Sequence, residues 1–213
     1  MNSRIKKLTM IAMLVAASLV VVSLFRIPIV LFLKYEPKDV IITIGGFLFG
    51  PLTSFTVAVI VAIIEMFTMS DTGVIGAIMN LLASCSFACT ASYIYKRKHT
   101  AKGAVAGLFV ASVIGIIVML LWNYLITPLY MGIPREGVVE LLLPAILPFN
   151  LLKVTLNSSI ILLVYKPVVT ALRRLNFVDN ENVQKTTKLE ITILASILLI
   201  TSLVIILVWK GII

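Results

Sequence analysis

Long apolar runs punctuated by short basic clusters constrain this chain more than any other feature. Residues 8–25, 73–95, 103–126, 143–166 and 191–209 are almost uninterrupted apolar sequence, each close to the ~20 residues that an α-helix needs to cross a bilayer core about 30 Å thick. Lipid offers the backbone no hydrogen-bond partners, so a crossing segment must pair its own N–H and C=O groups. Runs of this length do so as helices. A further stretch, 39–69, is broken only by Gly50-Pro51; Gly suits the end of one helix and Pro the first turn of the next, which predicts two short helices meeting there. The total is seven spans. Residues 27–33 are too few to span and include Pro28, which predicts an apolar loop that returns to the same side.

The first run follows Arg4, Lys6 and Lys7 as the core of a signal peptide does, but Ser23-Leu24-Phe25-Arg26-Ile27-Pro28 supplies no small-x-small cleavage site. It is read as the first transmembrane helix. Basic residues then set the orientation. Arg4, Lys6, Lys7, Lys96, Arg97, Lys98, Lys102, Lys166, Arg173, Arg174, Lys185 and Lys188 fall on one side, against Arg26, Lys34, Lys38, Arg135 and Lys210 on the other. Twelve against five puts the N-terminus in the cytoplasm and, after seven spans, the C-terminus outside. The chain is thereby expected to comprise a transmembrane bundle over 1–175, a polar cytoplasmic linker over 176–190 and an additional C-terminal transmembrane helix over 191–213.

Composition excludes most other classes. The chain is 61% hydrophobic with a mean hydropathy of +1.14, where soluble domains are about half apolar, and seven spans leave no room for a separate soluble catalytic domain. Cys85 and Cys89 lie four apart in an apolar run, and the one histidine, His99, sits in a charged loop; zinc needs about four N or S ligands, so no metal site is expected. The net charge of +9 is scattered in short clusters between apolar runs, a membrane-orienting pattern rather than a nucleic-acid face. No P-loop, nucleophile elbow or H-E-x-x-H occurs. No catalytic residue is assigned, and concentrative uptake would need an energised partner.

Ionisable and amide groups at membrane depth are costly and mark function by default. Asn150, Lys153 and Asn157 follow i, i+3, i+7 spacing and so project from one face of the sixth helix, with Asn150 roughly 10 Å and Lys153 roughly 15 Å below the outer surface at 1.5 Å per residue. The same topology puts Glu65, Asn80 and Asn123 in that outer layer. Two plainer readings stand beside a ligand site: amides that bond between helices, and Glu65 as the buried ion-pair partner of Lys153. Amide, ammonium and carboxylate groups beside Phe149, Trp122, Tyr124 and Tyr35 suit a ligand that is part polyhydroxylated and part flat and apolar. The loop 27–37, which carries Leu33 and Tyr35, is placed to close over it from outside. Ala12 and Ala16 form an A-x-x-x-A pair on the first helix that would let another backbone approach closely, although the same spacing recurs at Ala58 and Ala62.

Three ordered segments carry a resemblance: Lys34-Tyr35-Glu36-Pro37-Lys38-Asp39 leading into Gly45-Gly46-Phe47-Leu48-Phe49-Gly50-Pro51; Leu121-Trp122-Asn123-Tyr124-Leu125-Ile126-Thr127-Pro128-Leu129-Tyr130-Met131-Gly132; and Pro148-Phe149-Asn150-Leu151-Leu152-Lys153. Over residues 5–175 the chain resembles the riboflavin-specific substrate-binding (S) components of energy-coupling factor (ECF) vitamin importers of the plasma membrane of Gram-positive bacteria. The resemblance implies an all-α polytopic membrane protein, a six-helix S-component bundle, to which this sequence adds a seventh C-terminal helix. It implies riboflavin as transported ligand with no cofactor, ribityl hydroxyls held by Asn150 and Lys153, and the ring among apolar side chains. It further implies that Ala12 and Ala16 face a transmembrane coupling subunit driven by two ATPase subunits. An S component for another amphipathic vitamin, and a structural subunit that binds nothing, are the alternatives.

Overall fold

The computed structural model describes residues 3–30, 33–69, 73–174 and 189–210. Among the described residues, seven helical segments form one bundle: α1 (Ser3–Leu24), α2 (Lys38–Phe49), α3 (Pro51–Thr68), α4 (Gly73–Lys98), α5 (Ala101–Met131), α6 (Arg135–Leu141 continuing through Leu142–Ile146 to Leu147–Arg174) and α7 (Leu189–Trp209). Apart from α2, all are long and apolar enough to cross a membrane. The expected linker over 176–190 lies outside the described residues except for its last two.

The bundle is built inside out relative to a soluble one. Leu8, Phe67, Phe109, Leu129 and Leu143 are exposed around the outside, while Ala58, Ala88, Ala91 and Ala111 are buried between helices. Lipid takes the large side chains, and small residues let backbones approach. The tightest approach is at Gly46 of α2, where a Cβ would lie 1.9 Å from Ser54 Oγ of α3 and 2.0 Å from Ser92 Oγ of α4. Those hydroxyls sit 3.1 Å apart, and Ser54 donates to the Ile42 carbonyl at 3.1 Å. α2 is therefore a twelve-residue helix, about 18 Å long at 1.5 Å per residue, threaded into the middle of the bundle and buried along most of its length. It meets α3 at Gly50-Pro51 as the sequence predicts: Gly50 takes φ +94°, Pro51 opens α3, and the Gly50 N–H closes α2 on the Gly46 carbonyl at 2.8 Å.

Three features depart from the sequence reading. The segment after α1 is not a plain loop but an antiparallel hairpin of β1 (Ile27–Val30) and β2 (Leu33–Tyr35), in register Ile27 with Tyr35 and Pro28 with Lys34. β-branched and aromatic residues favour strands, and proline, which lacks an N–H, is tolerated where no further strand pairs. Second, α4 and α6 each widen into a π-turn, Cys85–Cys89 and Leu142–Ile146; in α6 Pro144 has no N–H to donate, which loosens the regular ladder. Third, the helices outrun their apolar cores, α5 by continuing through Pro128 to a left-handed Gly132. At the end away from the hairpin Phe47 stacks on Tyr95 at 4.4 Å, and the Tyr95 and Tyr165 hydroxyls lie 2.9 Å apart, closing the bundle there. The space for a site is at the hairpin end.

Candidate functional site

Local geometry brings an ion network beneath the hairpin. Pairing of the strands sets Arg26, just after α1, beside Glu36, just after β2: Arg26 Nε lies 2.9 Å from Glu36 Oε1. Glu36 Oε2 in turn lies 2.8 Å from Lys38 Nζ, and Lys38 also donates to Glu65 Oε2 of α3. Asn80 of α4 donates to the same Glu65 oxygen at 3.1 Å. On the other side of the α2 terminus, Asp39 accepts from Ser84 Oγ at 2.5 Å and pairs with Lys153 Nζ of α6 at 3.2 Å. Three cations and three carboxylates thus neutralise one another, which is what makes burial of Lys38, Glu65 and Asp39 tolerable. Burial of Glu36 pushes its carboxyl up, yet Lys38, Lys153 and Arg26 around it hold it below the usual carboxylate range.

Beside this network lies a cavity of about 190 Å³. The hairpin side contributes Arg26, Leu33, Lys34 and Glu36; α4 contributes Ile75, Met79, Asn80 and Ala83; α5 contributes Met119, Trp122, Ile126, Thr127 and Tyr130; α6 contributes Phe149, Asn150 and Lys153. The lining mixes polar groups, Asn80, Glu36, Asn150 and Lys153, with thioether, aliphatic and aromatic side chains, Met79, Met119, Ile126, Trp122 and Phe149. A small extension of about 20 Å³ runs deeper between Asp39, Lys153, Asn150 and Asn157.

Five of the nine ligand-site residues expected from the sequence line this cavity: Leu33, Asn80, Phe149, Asn150 and Lys153. Asn157 lines the extension, so the polar stripe of α6 does face one space. The other three stand behind the wall. Glu65 holds Asn80 and Lys38 in place. Asn123 is fully buried, donates to the Met119 carbonyl at 2.7 Å, and accepts from Thr127, itself a wall residue, at 2.9 Å. Tyr35 donates its hydroxyl to Asn157 Oδ1 at 2.9 Å and packs on Leu152 and Leu156. Tyr124 lies outside the cavity, with Arg135 over its ring at 5.8 Å. Ala12 and Ala16 are exposed on α1.

One of the plainer readings, the Glu65–Lys153 pair, is overturned. The carboxylate paired with Lys153 is that of Asp39, and Glu65 takes Lys38 instead. Consecutive side chains at a helix start diverge by about 100°, so Lys38 and Asp39 reach opposite neighbours, α3 and α6, from the same end of α2. Sequence reasoning counted Arg26 and Lys38 only as loop charges and gave Glu36 and Asp39 no role. The signal was present: a run of alternating sign, Lys34 to Asp39, wedged between apolar segments, is not a solvated loop when both its flanks are buried.

The family model for the ECF transporter substrate-specific component matches residues 6–165. The chain is 31% identical over 179 residues to the riboflavin transporter RibU of Staphylococcus aureus (strain TCH60), covering 80% of this chain and 94% of that protein. It is 28% identical over 178 residues to the riboflavin transporter FmnP of Bacillus subtilis (strain 168), covering 77% and 94%. A solved structure of the S component of a bacterial ECF transporter superposes with a TM-score of 0.67 at 31% identity, over 80% of this chain and 99% of that one.

Proposed function

This chain belongs to the substrate-specific components of ECF transporters, multi-pass membrane subunits of transport rather than enzymes, and on that premise we propose that it captures riboflavin in the cavity under the hairpin. The observation that carries this reading is a cavity lining that combines amide and ammonium groups with apolar and aromatic side chains. A ribityl chain finds donors and acceptors in Asn80, Asn150, Lys153 and, at the deep extension, Asn157, while a flat tricyclic ring finds Met79, Trp122, Ile126 and Phe149. Asn150 spends one amide hydrogen on the Ile146 carbonyl at 2.8 Å, which leaves its carbonyl oxygen and second hydrogen for a hydroxyl. Leu33 closes the site from the hairpin, and Glu65, Asn123 and Tyr35 fix the residues that touch the ligand.

The basic-residue count supports an N-terminus in the cytoplasm, which puts the hairpin and cavity on the outer side. Release inward then requires a partner. We assign that role to a transmembrane coupling subunit driven by two ATPase subunits, with exposed Ala12 and Ala16 on α1 as the close-approach surface. The test is a fluorescence titration of riboflavin with detergent-purified protein. Stoichiometric quenching that weakens in Lys153→Ala and in Asn150→Ala is expected; quenching unaffected by both variants would move the ligand to another site, and folded protein with no quenching would overturn the riboflavin assignment.

A further inference from the structure

The seventh helix lies beyond the family match, which ends at residue 165, and nothing so far gives it a task. Most of its surface faces outward: Ile193, Leu194, Ile197, Ile200, Leu203 and Val208 are all exposed. Only a narrow seam is covered. Ala195 and Ser202 are buried, Leu199 is partly buried and Ile206 is 9% exposed. Their 4, 3, 4 spacing is one face of a helix, and the two small residues let α6 approach closely. Along α6 the seam is ordinary helix packing. At its far end it does something different: Ile206 and Leu199 pack in one apolar cluster with Tyr35 of β2, Ile29 of β1, and Leu152 and Leu156 of α6.

That contact falls on the least self-sufficient part of the molecule. β1 has four residues and β2 three, and an isolated two-stranded hairpin is marginal at best. What packs on it decides how much of the time it is closed. Leu33 is held from the cavity side by Phe149, Ile146 and Val138, whereas Tyr35 and Ile29 are held from the outer side by α7. Tyr35 also carries the hydroxyl that orients Asn157 at the floor of the cavity.

We propose that α7 is a brace for the hairpin: its Leu199–Ile206 end clamps Ile29 and Tyr35 against α6 and thereby slows exchange of whatever occupies the cavity. For a riboflavin ligand this inference rests on the function proposed above, so its test has two arms. In the full chain, Leu199→Ala/Ile206→Ala is compared with the outward-facing pair Ile200→Ala/Leu203→Ala. Amide hydrogen exchange without ligand is followed over residues 33–38, and riboflavin dissociation by fluorescence recovery. The seam variant is expected to exchange faster in the hairpin and to release riboflavin about tenfold faster with little change in association rate, while the outward-facing variant matches wild type. Wild-type exchange in the hairpin of the folded seam variant overturns the brace, whether or not flavin binds. Absence of flavin binding in wild type overturns the riboflavin assignment while the exchange arm still decides the brace. Should the double variant fail to fold, Ile206→Ala alone is read the same way.

Discussion

Lys153 sits where the ion network and the cavity meet, so its removal acts twice. Lys153→Ala takes a donor from the proposed ligand and strands Asp39, which is 1% exposed, with Ser84 as its remaining partner. Removing one member of a buried ion pair costs about 3–5 kcal/mol of stability, and losing a hydrogen bond from a charged donor costs about 1.5–3 kcal/mol of binding, so riboflavin affinity is expected to fall at least about tenfold, and Lys153→Ala/Asp39→Asn should recover part of the lost thermal stability because no charge is then left alone. Glu36 gives a pH signature. Its carboxyl is held below the usual range by Lys38, Lys153 and Arg26, so the stability it contributes is complete above the ordinary carboxylate pKa and disappears as pH falls through its lowered value. The melting temperature of wild type should exceed that of Glu36→Gln by a constant margin at neutral pH, and the margin should close only in acid; a margin that grows in acid would contradict this. At this scale the sequence showed the α6 stripe because helical spacing is local. It hid Asp39 because the Asp39–Lys153 pair joins residues more than a hundred positions apart.

Between helices the closest tolerance is at Gly46. Its hydrogen is the only substituent that fits between Ser54 and Ser92, so Gly46→Ala must push α2 away from α3 and α4. Overpacking of this kind costs about 1–3 kcal/mol, read as a lower melting temperature, and Ser92→Gly in the same chain should return part of it. Elements were legible where one residue type forces a backbone outcome, as at Gly50-Pro51. They were not where the outcome depends on neighbours. The hairpin reads as apolar loop because its strands are too short for alternation to register, and the π-turns have no periodicity of their own; both flank the cavity, at Leu33 and just before Phe149 and Asn150.

For the whole molecule, the division of surfaces carries the transport reading. The cavity opens beside the hairpin, the Phe47–Tyr95–Tyr165 cluster closes the other end, and α1 leaves Ala12 and Ala16 exposed one turn apart. Ala12→Leu/Ala16→Leu should abolish energised uptake by cells that supply the coupling module while leaving flavin affinity of the purified protein unchanged; equal loss of both would remove α1 from the docking role. Bundle class was readable from run lengths and charge because lipid imposes it segment by segment, but among the described residues six helices rather than the expected seven are long and apolar enough to cross, α2 having only twelve residues. How α2 threads the centre was not readable, since it depends on Gly46, Ser54 and Ser92 meeting in space. The most direct measurement is the visible absorption of the protein as purified in detergent, followed by riboflavin titration to saturation in wild type and Lys153→Ala. One flavin per chain, bound by wild type and weakened at least about tenfold by the substitution, is the expected result; folded wild-type protein that takes up no flavin would contradict it.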